Sequence, residues 1–169
     1  EGVSAARDLD GRTAQVADEL RRDGVTHNVF DEHGVAPRPW SLELLPMLIE
    51  AQDWAQIERG VKQRAALLEA MLADLYGPRQ LLQQGLLPPA LLLRHPGYLR
   101  PLHGVAPPGA QRLHVVAFDI ARGPQGRWCV VAQRTQAPSG LGYVLHNRLV
   151  VSRQFPEAYR SLRVQHLAA

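Results

Sequence analysis

Apolar residues recur at helical spacing through the first two thirds of the chain, then give way near residue 113 to short continuous runs of strand length. Thr13 to Arg22 places Ala14, Ala17 and Leu20 loosely on one face, and Gly24 ends that helix. Thr26 to Phe30 reads as a short strand and Asp31-Glu32-His33-Gly34 as a turn; Pro37 and Pro39 keep the chain extended up to Trp40. Ser41 is placed to cap a short helix through Ile49. Asp53, with Gln56 at the capping-box position, is the expected N-cap of the main helix, which runs to about Tyr76. Ile57, Val61, Arg64/Ala65, Leu68, Leu72 and Leu75 follow the rhythm of one buried face, and Gly77-Pro78 stops it.

Short helices follow at Arg79 to Gln84 and from Pro88-Pro89 through Leu93. Leu113 to Ala121 and Arg127 to Arg134 read as a hairpin across Gly123-Pro124-Gln125-Gly126. After the turn-rich Pro138-Ser139-Gly140-Leu141-Gly142, a second apolar run starts at Tyr143 and ends on His146-Asn147-Arg148, and Tyr143 to Val150 reads as a return strand beside the hairpin. The expected class is α+β. A helical N-terminal layer occupies residues 1–112, and a small antiparallel sheet lies in 113–169 of one continuous domain.

Composition narrows the function. A 169-residue chain with 46% apolar residues has enough material for a real core. Nineteen basic against sixteen acidic residues give +3, with no basic stripe carrying aromatics, so nucleic acid is not an expected partner. No apolar run approaches membrane-spanning length and no signal peptide is visible. Cys129 is the sole cysteine; it allows no internal disulfide, is expected to be a small buried hydrophobe, and points to the cytoplasm. Lys62, in a predicted helix away from any Gly-rich loop, is the one lysine, so phosphate-binding lysines are not expected here. The chain starts at Glu1 and stops in what reads as the beginning of another element, so the remainder of a longer chain is an expected partner.

The chemistry concentrates between Arg127 and Arg153. Glycines let backbone N–H groups approach an anion, and Arg134 and Arg148, on either side of the loop, suit bidentate contact with phosphate oxygens; salt bridges within the sheet are the alternative. Asp119, the one acid on the hairpin, reads as a strand-edge residue paired with Arg122. His146 is either a general base or a hydrogen-bonded side chain, and no carboxylate lies near it in sequence.

The run QRTQAPSGLGYVLHNR, residues 133–148, resembles the DRTQAPSGxGYxLENR motif of the circularly permuted ATP-grasp family (type 2, related to glutathionylspermidine synthetase-like ligases). DGVTHNVF, RPWSLELLPMLI, QRAALLEAMLADLYGPRQLL, GLLPPALLL and HPGYLRPLHG resemble that family's N-terminal half. The resemblance implies part of an ATP-grasp fold and an ATP- and Mg²⁺-dependent ligase that joins a small-molecule or peptide carboxylate to an amine through an acyl phosphate. It implies catalytic roles for Arg134 and Arg148. It implies nucleotide contacts from Ser139, Gly140, Gly142 and Asn147, and metal contacts from Asn147 with positions 133 and 146. There the family has acids and this chain has Gln133 and His146, with Asp119 a possible compensating ligand. Gln133 keeps an oxygen without the charge, and imidazole nitrogen suits Mg²⁺ poorly. A non-catalytic pseudo-ligase or scaffold is therefore the alternative, and this segment alone is expected to bind ATP weakly and to be inactive. If the paired-acid logic applies, Gln133, His146 and Arg148 share one face of the sheet.

Overall fold

The computed structural model describes residues 2–27 and 38–165. In chain order the elements are α1 (Gly2–Arg22), β1 (Thr26–His27), β2 (Arg38–Pro39), α2 (Ala51–Leu75), α3 (Gln80–Gln83), α4 (Pro89–Leu93), β3 (Ala117–Arg122), β4 (Trp128–Arg134), α5 (Leu141–Gln154) and α6 (Pro156–Ser161). A helical N-terminal region followed by a small open antiparallel sheet is the α+β arrangement expected. Two compact units emerge, one from Glu1–Leu48 with Gly140–Ala169, the other from Ile49–Ser139.

In the first unit α1 starts well before Thr13, and Asp8 pairs with Arg12 one turn on. Val16 and Leu20 stack one turn apart and are buried with Leu44 and Val150; Val25, Trp40, Leu42 and Phe155 pack around them. Asp23 and Gly24, the latter at φ +67°, turn the chain into β1. β1 pairs antiparallel with β2, Thr26 opposite Pro39. The rest of the strand expected to Phe30, and the turn Asp31–Gly34, lie outside the described residues. The short helix expected from Ser41 to Ile49 does not form. Pro46 lacks an N–H and pushes Leu45 out of the helical region, so the periodicity there has no helix to serve.

The larger correction is at residues 143–150, which are not a return strand but the middle of α5. Val150 and Val151 are both buried, and Tyr143 and Asn147 share their side at i, i+4, i+7 and i+8. Adjacent buried valines suit one face of a helix; in a strand they would face opposite ways.

In the second unit the N-cap position of α2 falls to Glu50, whose side chain makes no cap bond, and not to Asp53, which lies in the first turn with Oδ2 3.7 Å from Arg122. Of the expected stripe only Ile57 is fully buried; Val61, Leu68, Leu72 and Leu75 are half-buried. Past the helix end, a Cβ on Gly77 would sit 2.7 Å from the Ala73 carbonyl oxygen, which explains the glycine. The Asp74 carboxylate accepts the Gln80 and Leu81 N–H groups at 2.8 and 3.0 Å and so opens α3. Glu69 accepts the N–H of Arg112 at 3.0 Å and of Leu113 at 2.7 Å, anchoring the approach to the hairpin on α2.

β3 and β4 pair antiparallel from Ala117↔Arg134 to Arg122↔Trp128 around the expected turn. Residues 113–116 fall short of the strand. The register shifts between Asp119 and Ile120, leaving Val131 as a bulge. Cys129 is exposed, not buried: β4 alternates half-buried Trp128 and Val130 with exposed Cys129 and Val131.

Candidate functional site

β4 ends on Gln133 and Arg134, and a short loop leads from there into α5. Within it Ala137 has φ +41°, a left-handed value uncommon outside glycine. Gly140, at φ +109°, is the N-cap of α5. That turn leaves the N–H groups of Leu141, Gly142 and Tyr143 without intrahelical acceptors; Val144 N–H is the first to close, on Gly140 O at 3.1 Å. A 14-residue helix with three unclosed donors behind a Ser-Gly turn presents the positive end of its dipole to anions.

The other predicted residues have specific partners. Arg134 Nη2 lies 2.5 Å from Asp119 Oδ2, with both side chains exposed. Asp119 is therefore paired, but with Arg134 rather than Arg122. Arg122 instead donates to Gly126 O at 3.1 Å, approaches Asp53 and covers the Trp128 ring at 5.8 Å. Gln133 stands opposite Phe118, on the face of the hairpin away from Arg134 and Asp119.

His146 Nε2 is 3.4 Å from Asp23 Oδ2, within ion-pair range but outside hydrogen-bond geometry, and is otherwise buried without a partner. Asn147 Oδ1 accepts the Trp40 indole N–H at 3.0 Å. Trp40 stacks on Tyr143 at 4.5 Å, and Tyr143 donates its hydroxyl to Thr26 O at 2.7 Å. Arg148 donates to Gln165 O and lies 6.0 Å from the centre of the Tyr159 ring.

Asp119, Gln133, Arg134 and Ser139 belong to one unit; Gly140, Gly142, His146, Asn147 and Arg148 belong to the other. With residues 143–150 helical, the expected shared sheet face of Gln133, His146 and Arg148 does not exist. Asp23, Trp40 and Thr26 were invisible as partners because they lie far off in sequence. The Tyr143–Asn147 spacing of four was the one available signal, had the run been read as helix.

Magnesium wants converging oxygens. Asp119 and Gln133 face opposite ways, His146 offers nitrogen, and Asn147 Oδ1 already serves Trp40. Among the described residues no group of three or more His, Cys, Asp or Glu could hold a metal ion. These donors do not fit a Mg²⁺ site. Among the described residues, too, no helix is long and apolar enough to cross a membrane.

Residues 46–169 match the family described as circularly permuted ATP-grasp type 2. An uncharacterized protein of Mycobacterium tuberculosis is 43% identical over 162 residues, covering 91% of this chain and 18% of its own length. An uncharacterized protein of Synechocystis is 33% identical over 153 residues, covering 90% of this chain and 31% of its own. One from Mycobacterium leprae is 33% identical over 162 residues, covering 96% and 28%. The chain spans less than a third of the length of these curated relatives.

Proposed function

The chain belongs to the circularly permuted ATP-grasp type 2 family, and from that premise we propose that it supplies the loop-and-helix part of a phosphate site in an ATP-dependent ligase joining a carboxylate to an amine. The observation that carries this reading is the Ser139-Gly140 turn, whose positive-φ glycine opens the N-terminus of α5 to an anion. ATP, when bound, supplies the phosphoryl group that activates the carboxylate. Ser139, Gly140 and Gly142 would line the phosphates through backbone and hydroxyl donors. Arg134 would neutralise phosphate charge; its exposed pair with Asp119 contributes at most about 1 kcal/mol, so an anion can displace Asp119 at little cost. Arg148 would add positive charge from α5. The positive φ at Ala137 supports a loop held in a particular shape for a ligand. Small-molecule or peptide carboxylates and amines are the substrates this reading implies. A cytoplasmic location accompanies it, in keeping with one exposed free thiol.

A second reading, a pseudo-ligase that holds nucleotide or scaffolds a partner without turnover, is favoured by the donor set. Gln133 and His146 replace the family's acids, and Asn147 serves as an anchor for Trp40. The test is metal-dependent ADP release by the full-length protein, with carboxylate and amine pools, beside its Arg134→Ala variant. Release that falls at least tenfold in the variant supports the ligase. Nucleotide binding without release supports a pseudo-ligase that holds nucleotide, and no nucleotide binding at all rejects the ligase and leaves the scaffold.

A further inference from the structure

α2 and the β3–β4 hairpin line an open cleft of about 360 Å³, and none of its lining residues belongs to the Gly loop or its arginines. That volume falls within the usual range for small-molecule sites. We propose that this cleft binds a small anionic molecule with a flat apolar body, its carboxylate or phosphate held by Arg64.

Three features of the lining point to a ligand. Arg64 lines the cleft with an exposed side chain, at the edge of the α2 stripe formed by Ile57, Val61 and Leu68. Its guanidinium, like that of Arg59 on the same helix, makes no hydrogen bond or ion pair among the described residues, whereas Lys62 is matched by Glu58 at 2.7 Å. Gly60, one turn before Arg64, lies mid-helix at a cost in helix stability. A Cβ there would meet nothing within 4 Å, so packing within the chain does not require a glycine; its missing side chain keeps the cleft open. The opposite wall is the Trp128 indole, with the Arg122 guanidinium 5.8 Å over one side of its ring, together with Ile120 and Val130; the ring N–H is buried without an acceptor. The Arg64 guanidinium fork matches the paired oxygens of a carboxylate or phosphate, and the indole suits a planar body. Gln56 adds an amide at the edge for orientation.

Benzoate, phenyl phosphate and inorganic phosphate serve as probes, titrated into the whole chain while the Trp128 indole resonance is followed by NMR. Benzoate or phenyl phosphate should shift it saturably, inorganic phosphate weakly, and the stronger of the first two identifies the anionic group. Arg64→Gln should weaken binding roughly ten- to hundredfold, as loss of a charge-assisted hydrogen-bonded contact does. Lys62→Gln should leave binding unchanged. Gly60→Leu should fill the cleft and abolish binding without lowering the melting temperature. The proposal is overturned if no aromatic anion shifts Trp128 saturably, or if Arg64→Gln binds as the wild type does. Equal weakening by Lys62→Gln and Arg64→Gln overturns it as well, by reducing the effect to general charge.

Discussion

Asn147 sits where the family resemblance implies a ligand, yet its side-chain oxygen accepts the indole N–H of Trp40, 107 residues away. Removing that acceptor by Asn147→Ala takes a half-buried donor's partner away, which should lower stability by about 1–3 kcal/mol in urea unfolding. Unchanged stability together with lost nucleotide affinity would make Asn147 a ligand rather than an anchor. Glycines give the opposite lesson at the same scale, since two in or beside α2 look alike in the sequence. Gly77→Ala forces a Cβ to 2.7 Å from the Ala73 carbonyl oxygen and should cost about 1–3 kcal/mol. Gly60→Ala meets open space and should gain about 0.5–1 kcal/mol from helix propensity. Thermal unfolding of the two variants, shifting in opposite directions, checks both. Such distinctions depend on what lies across space from a residue, which local sequence does not carry.

The hairpin was legible because two short apolar runs flank a Gly-Pro-Gln-Gly turn, a signal confined to adjacent residues. α5 was not legible. Its inner side buries Val150 and Val151 while Leu141, Val144, Leu145 and Leu149 remain exposed on other sides, so its apolar residues fall into two short runs, 143–145 and 149–151, instead of one stripe. Runs that short carry no helical period and pass for a strand. The helical assignment makes a sharp prediction. Val150→Asp places an unpaired charge in the core beside Val16 and Leu20 and should cost several kcal/mol, enough to unfold a marginal unit. Leu149→Asp, one residue earlier and 55% exposed, should stay within about 0.5–1 kcal/mol. Circular dichroism and urea midpoints separate the two. Equal damage from both would contradict the helix face described.

At the scale of the molecule the family was readable from the wording of residues 133–148, whereas the site's geometry was not. The motif's residues are divided between two units and two kinds of element, strand and helix. That division bears on the choice between ligase and pseudo-ligase. Restoring the family's acids is the direct test, but His146→Glu alone is a poor one. Asp23 Oδ2 lies 3.4 Å from the imidazole, so a second carboxylate there would meet like charge and destabilise the unit. The informative variant of the full-length protein is Gln133→Asp with His146→Glu and Asp23→Asn, which supplies both acids and removes the repulsion. If the metal site is degenerate, wild-type ADP release is slow and the triple variant raises it, with a steeper dependence on magnesium; the double variant His146→Glu with Asp23→Asn should not. Wild-type turnover in the tens per second, ordinary for enzymes, would instead mean that other residues of the full-length protein hold the metal and that Gln133 and His146 are tolerated departures.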